Sequence, residues 1–121
     1  MSFQGILKEL IDVSGNGIAT AIMGVDGLAV AKYVGKSLEY DVETVGIEYG
    51  KVLDEIKNAS GLLSLGHVEE VVVTTLGTDV ILRTISDEYF IALAVARGAN
   101  VGRARYLLRK AANQVRKELL V

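Results

Sequence analysis

With 121 residues, no cysteine, one histidine and a net charge of −2, the chain excludes several functions at once. Without Cys there is no disulfide framework, thiolate zinc site or cysteine nucleophile, and a single His cannot build a His-based metal cluster. The length suits one domain, residues 1–121, whose core needs no metal or disulfide support.

The longest apolar run, Tyr89 to Ala96, falls far short of the roughly 20 residues that span a bilayer. Met1-Ser2-Phe3-Gln4 has no signal-peptide character, so a cytoplasmic location with no membrane partner is expected. Charge is unevenly placed: residues 1–96 hold 6 Lys/Arg against 14 Asp/Glu, and residues 97–121 hold 7 against Glu118 alone. Such polarity suits nucleic acid, an acidic partner or the protein's own acidic surfaces.

Ile6, Leu7, Leu10, Ile11 and Val13 recur at helical spacing, and Gly15 and Gly17 predict the stop. Gly17–Gly24 and Leu28–Val34 are β-prone, and the Asp26-Gly27 step between them predicts an antiparallel hairpin. Asp41 is a suitable N-cap for a helix over Val42–Leu63, ended by Gly61 or Gly66. Along it Val42, Val45, Tyr49, Val52, Ile56, Ala59 and Leu63 step by three and four as a heptad seam, with Ile47, Leu53 and Leu62 off the seam. A helix with two apolar faces needs two covers: its own sheet and, most economically, a symmetry mate. Gly46 and Gly50 each cost about 1 kcal/mol in a helix interior and predict close backbone approach.

Glu69–Leu76, Asp79–Ile85 and Tyr89–Ala96, with turns at Gly77-Thr78 and Ser86-Asp87-Glu88, read as an antiparallel meander. Val71-Val72-Val73 carries no Pro or Lys guard and, as an edge, invites pairing with another chain. Tyr89–Ala96 is apolar enough to be buried on both faces. From Val101 to Leu120, Ala104, Leu108, Ala111, Val115 and Leu119 share one helix face, with Arg103, Arg105, Arg109, Lys110, Arg116 and Lys117 on the other. The order α-β-β-α-β-β-β-α predicts an α/β (α+β) fold, a five-stranded antiparallel or mixed sheet with helices on both faces.

Motifs for chemistry are sparse. Gly35-Lys36-Ser37 resembles the end of a phosphate-binding loop, but Val30 stands where the motif needs its first Gly. Gly15-Asn16-Gly17 precedes a strand rather than a helix and reads as a turn. His67 has only Glu69 and Glu70 as nearby co-ligands, and Ser64-Leu65-Gly66-His67 matches no nucleophile elbow. No enzyme activity, cofactor or metal is therefore expected. The basic closing helix, with Tyr106 among its cations, is a nucleic-acid surface in principle, but an acidic chain argues against that partner.

Three segments in order resemble the Roadblock (roadblock-type dynein light chain) family over nearly the whole chain. They are the hairpin Ile18–Met23 with Asp26-Gly27-Leu28-Ala29-Val30-Ala31, the long helix Val42–Leu63, and Phe90–Val95 followed by Asn100-Val101-Gly102-Arg103-Ala104-Arg105-Tyr106. The resemblance is to the bacterial and archaeal branch, which includes gliding-motility regulators of small Ras-like GTPases. It implies a Roadblock/profilin-like fold and a homodimer whose sheets join edge to edge. Its interface would contain Val42, Val45, Tyr49, Val52, Ile56 and Ala59 of the long helix with Val71 and Val73 of the third strand. It also implies a non-enzymatic regulator that binds a small Ras-like GTPase, for which Glu43, Glu48, Lys51 and Asp54 are the expected contacts, and modulates its hydrolysis or localisation. A scaffold or adaptor subunit of a motor or signalling complex is the alternative.

Overall fold

A computed structural model describes residues 2–35 and 41–119. Lys36 and Ser37 of the segment weighed above as a phosphate loop, and Leu120 of the closing helix, lie outside them. The elements are α1 (Phe3–Ser14), β1 (Gly17–Gly24), β2 (Ala29–Val34), α2 (Val42–Leu62), β3 (Glu70–Thr74), β4 (Thr78–Thr84), β5 (Tyr89–Ala96) and α3 (Val101–Leu119). The five strands form one sheet in the order β2-β1-β5-β4-β3, every neighbouring pair antiparallel. Element order and sheet match the expected α-β-β-α-β-β-β-α fold.

Side-chain alternation along the strands divides the interior into two clusters. On one face, Ile22, Ile81, Ile91, Leu93 and Val95 meet Ile6, Leu7, Leu10 and Ile11 of α1 and Ala104, Leu108, Ala111, Ala112 and Val115 of α3. On the other, Ala19, Ala21, Met23, Val80, Leu82, Phe90 and Ala92 lie under Val42 and Leu53 of α2. The central strand β5 is buried on both faces, as its unbroken apolar run requires.

Element ends depart from the sequence expectation for local reasons. α1 begins at Phe3, ahead of Ile6 where the apolar repeat starts, because the Ser2 hydroxyl accepts from the Gly5 amide at 3.0 Å. β2 begins after Leu28, whose amide donates to the Asp26 carboxylate at 3.0 Å in the turn. Thr78 lies in β4 rather than in a turn, because the Thr75 hydroxyl accepts from the Gly77 and Thr78 amides and takes over the corner. Neither Gly61 nor Gly66 stops α2. Ser64 adopts the left-handed conformation at φ 56°, and the Leu65 amide closes back on the Ser60 carbonyl at 2.9 Å.

Candidate functional site

The candidate site is the α2 side of the sheet with the β3 edge. α2 starts at Asp41, whose carboxylate accepts from the Thr44 hydroxyl at 2.7 Å and the Thr44 amide at 3.0 Å. Those two bonds, the hydroxyl first, hold the Asp41 carboxyl below its ordinary 3.8. Glu43 reaches back to β2, where its carboxylate lies 2.6 Å from the Lys32 ammonium and raises the lysine above its ordinary 10.5.

The glycines select which side of α2 faces inward. A Cβ on Gly46 would stand 2.8 Å from Cγ of the buried Met23, and one on Gly50 would stand 3.2 Å from the Phe90 ring. Val42, Gly46 and Leu53 are the buried positions of α2, and Gly50 continues that line. The heptad seam is consequently not a free face. Val42 is 2% exposed and belongs to the chain's own core, and Val45 and Tyr49 pack against the same cluster. At 100° per residue, Val45, Val52, Ile56 and Ala59 share one flank of α2. There Val52 is 43% exposed, Ala59 is exposed and Ile56 is half-buried. Leu53, off the seam, is the principal α2 anchor at 1% exposure.

Beyond the helix, Leu62, Leu63 and Leu65 form an exposed apolar knuckle at the end of α2. Sequence spacing put Leu63 on the seam and Leu62 off it. The left-handed stop at Ser64 instead exposes both. Of the expected partner contacts, Glu48 and Lys51 pair with each other at 3.3 Å on the exposed surface. Asp54 is exposed, and Glu43 is committed to Lys32.

β3 is an edge strand. Val71 and Val73 are half-buried and pack toward the α2-side cluster, whereas Val72, on the opposite face, is 39% exposed. β3 pairs only with β4, so its outer N–H and C=O groups have no ladder partner among the described residues.

The basic helix presents a different picture. Arg116 donates from Nε to the Ile85 carbonyl at 2.8 Å, Arg103 donates to the Val13 carbonyl at 3.3 Å, and Arg105 donates to the Glu70 carboxylate. These three arginines tie α3 to the sheet region and to α1. His67 lines an open cavity of about 690 Å³ together with Lys57, Ser64, Ser86 and Asp87. Among the described residues no hydrogen bond joins His67 to either serine or to Asp87, and no three His, Cys, Asp or Glu side chains converge as metal ligands. Among the described residues no helix is long and apolar enough to cross a membrane.

No family model matches this sequence, and no curated protein does. Solved structures do. MglC from Myxococcus xanthus is 34% identical, with 98% of this chain covering 99% of that one at a TM-score of 0.69. A Roadblock/LC7 domain from Streptomyces avermitilis superposes at a TM-score of 0.86 over 98% of both chains with 16% identity. The gliding protein MglB from Thermus thermophilus superposes at 0.84, covering 95% of this chain and 86% of that one at 12% identity. The latter two establish the shared fold, and the identity with MglC over essentially the full length establishes kinship. The chain belongs to the Roadblock/LC7 family.

Proposed function

We propose that two copies of this chain pair through the β3 edge and the exposed flank of α2, and that the dimer binds a small Ras-like GTPase and modulates its nucleotide hydrolysis or localisation. One observation carries the reading: Val71 and Val73 of the unguarded edge strand face the same side of the sheet as the half-exposed apolar flank of α2. Pairing two β3 strands about a two-fold axis would satisfy their outer backbone groups and place Val71 and Val73 of each copy beside their counterparts. The same operation would bring Val52, Ile56 and Ala59 of the two α2 helices toward one another. Val42 stays with its own sheet.

The GTPase part rests on family membership and on kinship with MglC. In this reading the chain contributes no catalytic group. It acts by binding one switch conformation of its partner better than the other, which is the only way a ligand shifts such an equilibrium. Exposed Glu48, Lys51 and Asp54 are the proposed polar contacts. The test mixes the chain with small Ras-like GTPases loaded with GDP or a non-hydrolysable GTP analogue and follows both retention and hydrolysis. Nucleotide-dependent retention with a changed hydrolysis rate is expected. Failure to bind in either state would overturn the proposal, and binding with an unchanged rate would leave the scaffold reading in its place.

A further inference from the structure

A second polar site lies on the opposite face of the sheet, under α3 at the β3 edge. Register sets Glu70 opposite Arg83, and alternation points both toward α3. α3 passes over them with Arg105 and Arg109 at i, i+4 and Tyr106 between, and together they line an open cavity of about 240 Å³. The Glu70 side chain is only 11% exposed, and both its oxygens are taken: Arg83 Nη1 donates to Oε2 at 3.0 Å and Arg105 Nε to Oε1. The cavity is thus already built to hold one carboxylate between planar guanidinium groups.

Three guanidinium groups are more than that one carboxylate needs. Arg105 engages Glu70 through Nε, leaving its two terminal nitrogens without a partner among the described residues. Arg109 has no acid partner among them and is oriented over the Tyr106 ring, 5.8 Å from its centroid. Tyr106 is 56% exposed and Val72 39%, so apolar surface adjoins the free cations.

We propose that this cavity docks an acidic peptide segment of a protein partner. A carboxylate of the segment lies across the free nitrogens of Arg105 and Arg109, and a neighbouring side chain rests on Tyr106. Arginine with tyrosine is the composition of protein-interface anchors. A polyphosphate backbone fits less well, because Glu69 and Glu70 stand among the arginines where successive phosphates would track. The site faces away from α2, so it uses none of the residues proposed to contact a GTPase.

The test is fluorescence anisotropy on the full chain with a fluorescein-labelled oligoglutamate peptide, against an oligolysine peptide and a single-stranded oligonucleotide. Saturable binding of the oligoglutamate is expected, weakened about tenfold by Arg109→Gln, as loss of one charge-assisted contact implies. Lys117→Gln, elsewhere on α3, should leave it unchanged. Arg109 holds no structural carbonyl or acid among the described residues, so its variant keeps the fold, which a melting curve verifies. No saturable binding, equal binding by Arg109→Gln, or tighter binding of the oligonucleotide would overturn the proposal.

Discussion

The two faces of the sheet are covered unequally. On one, α1 packs over β1 and β2 while α3 packs over β4 and β5, and the arginines of α3 fasten it to carbonyls of neighbouring elements. On the other, α2 alone packs over β1 and β2 and holds on through Val42, two glycines and Leu53. β3 leans chiefly on β4, with Val71 and Val73 half-buried. The first face is covered by two helices over four of its five strands, and the second, with one helix, leaves apolar surface beside an open strand edge. A small domain that completed both faces would have no need of α2's exposed flank. The imbalance is what the proposed pairing of two copies would relieve.

That contrast can be broken first in the two cores. Leu108 is fully buried under α3 and Leu53 is 1% exposed under α2. Leu→Ala at either should cost about 2–5 kcal/mol in chemical denaturation, because each leaves a cavity that rigid neighbours do not fill. If Leu53→Ala were nearly neutral, α2 would not be anchored as described. A smaller loss is expected from Gly46→Val. Its added carbons meet Met23 inside the packed layer, for about 1–3 kcal/mol of overpacking that outweighs the better helix propensity of valine. Arg116→Met tests the fastening of α3. It leaves the Ile85 carbonyl without its charged donor, and a loss of about 1–2 kcal/mol should appear in the same experiment.

The smallest expected effect is at the start of α2. Asp41 is held below its ordinary 3.8 by Thr44, so its contribution is present above that pH and is lost as pH falls through the depressed value. Melting temperature recorded down the acid limb should therefore fall less steeply in Asp41→Asn than in the parent. An identical acid limb in both would remove Asp41 from the account of α2.

Much of this was legible in residue order. The hairpin, the meander, the buried β5 and the stripe of α3 all follow from periods of two and about 3.6, which hydropathy reports directly. The inward side of α2 did not follow. Apolar residues occur around much of that helix, so spacing picks out a seam without saying which part touches the sheet. The residues that decide it, Gly46 and Gly50, carry no hydropathy signal. Their i, i+4 placement announced close approach, and only the structure names Met23 and Phe90 as what they approach. The roles of the arginines were hidden for a related reason. Their partners are mostly backbone carbonyls of Val13, Thr84 and Ile85, and the sequence does not mark a carbonyl as an acceptor awaiting a cation.

Self-association through the open side is the claim on which the functional reading stands, and the packing of α2 decides which variant tests it. Val45 packs against its own sheet, so a charge there would damage the fold as well as any interface. Val52, 43% exposed on the same flank, is the cleaner position. The most direct measurement is solution mass by multi-angle light scattering on the parent chain and on Val52→Glu. The parent should weigh twice the 13.0 kDa of one chain, and Val52→Glu should weigh 13.0 kDa with its folded circular-dichroism signature intact. A parent of single-chain mass, or a Val52→Glu variant that remains a dimer, would contradict it.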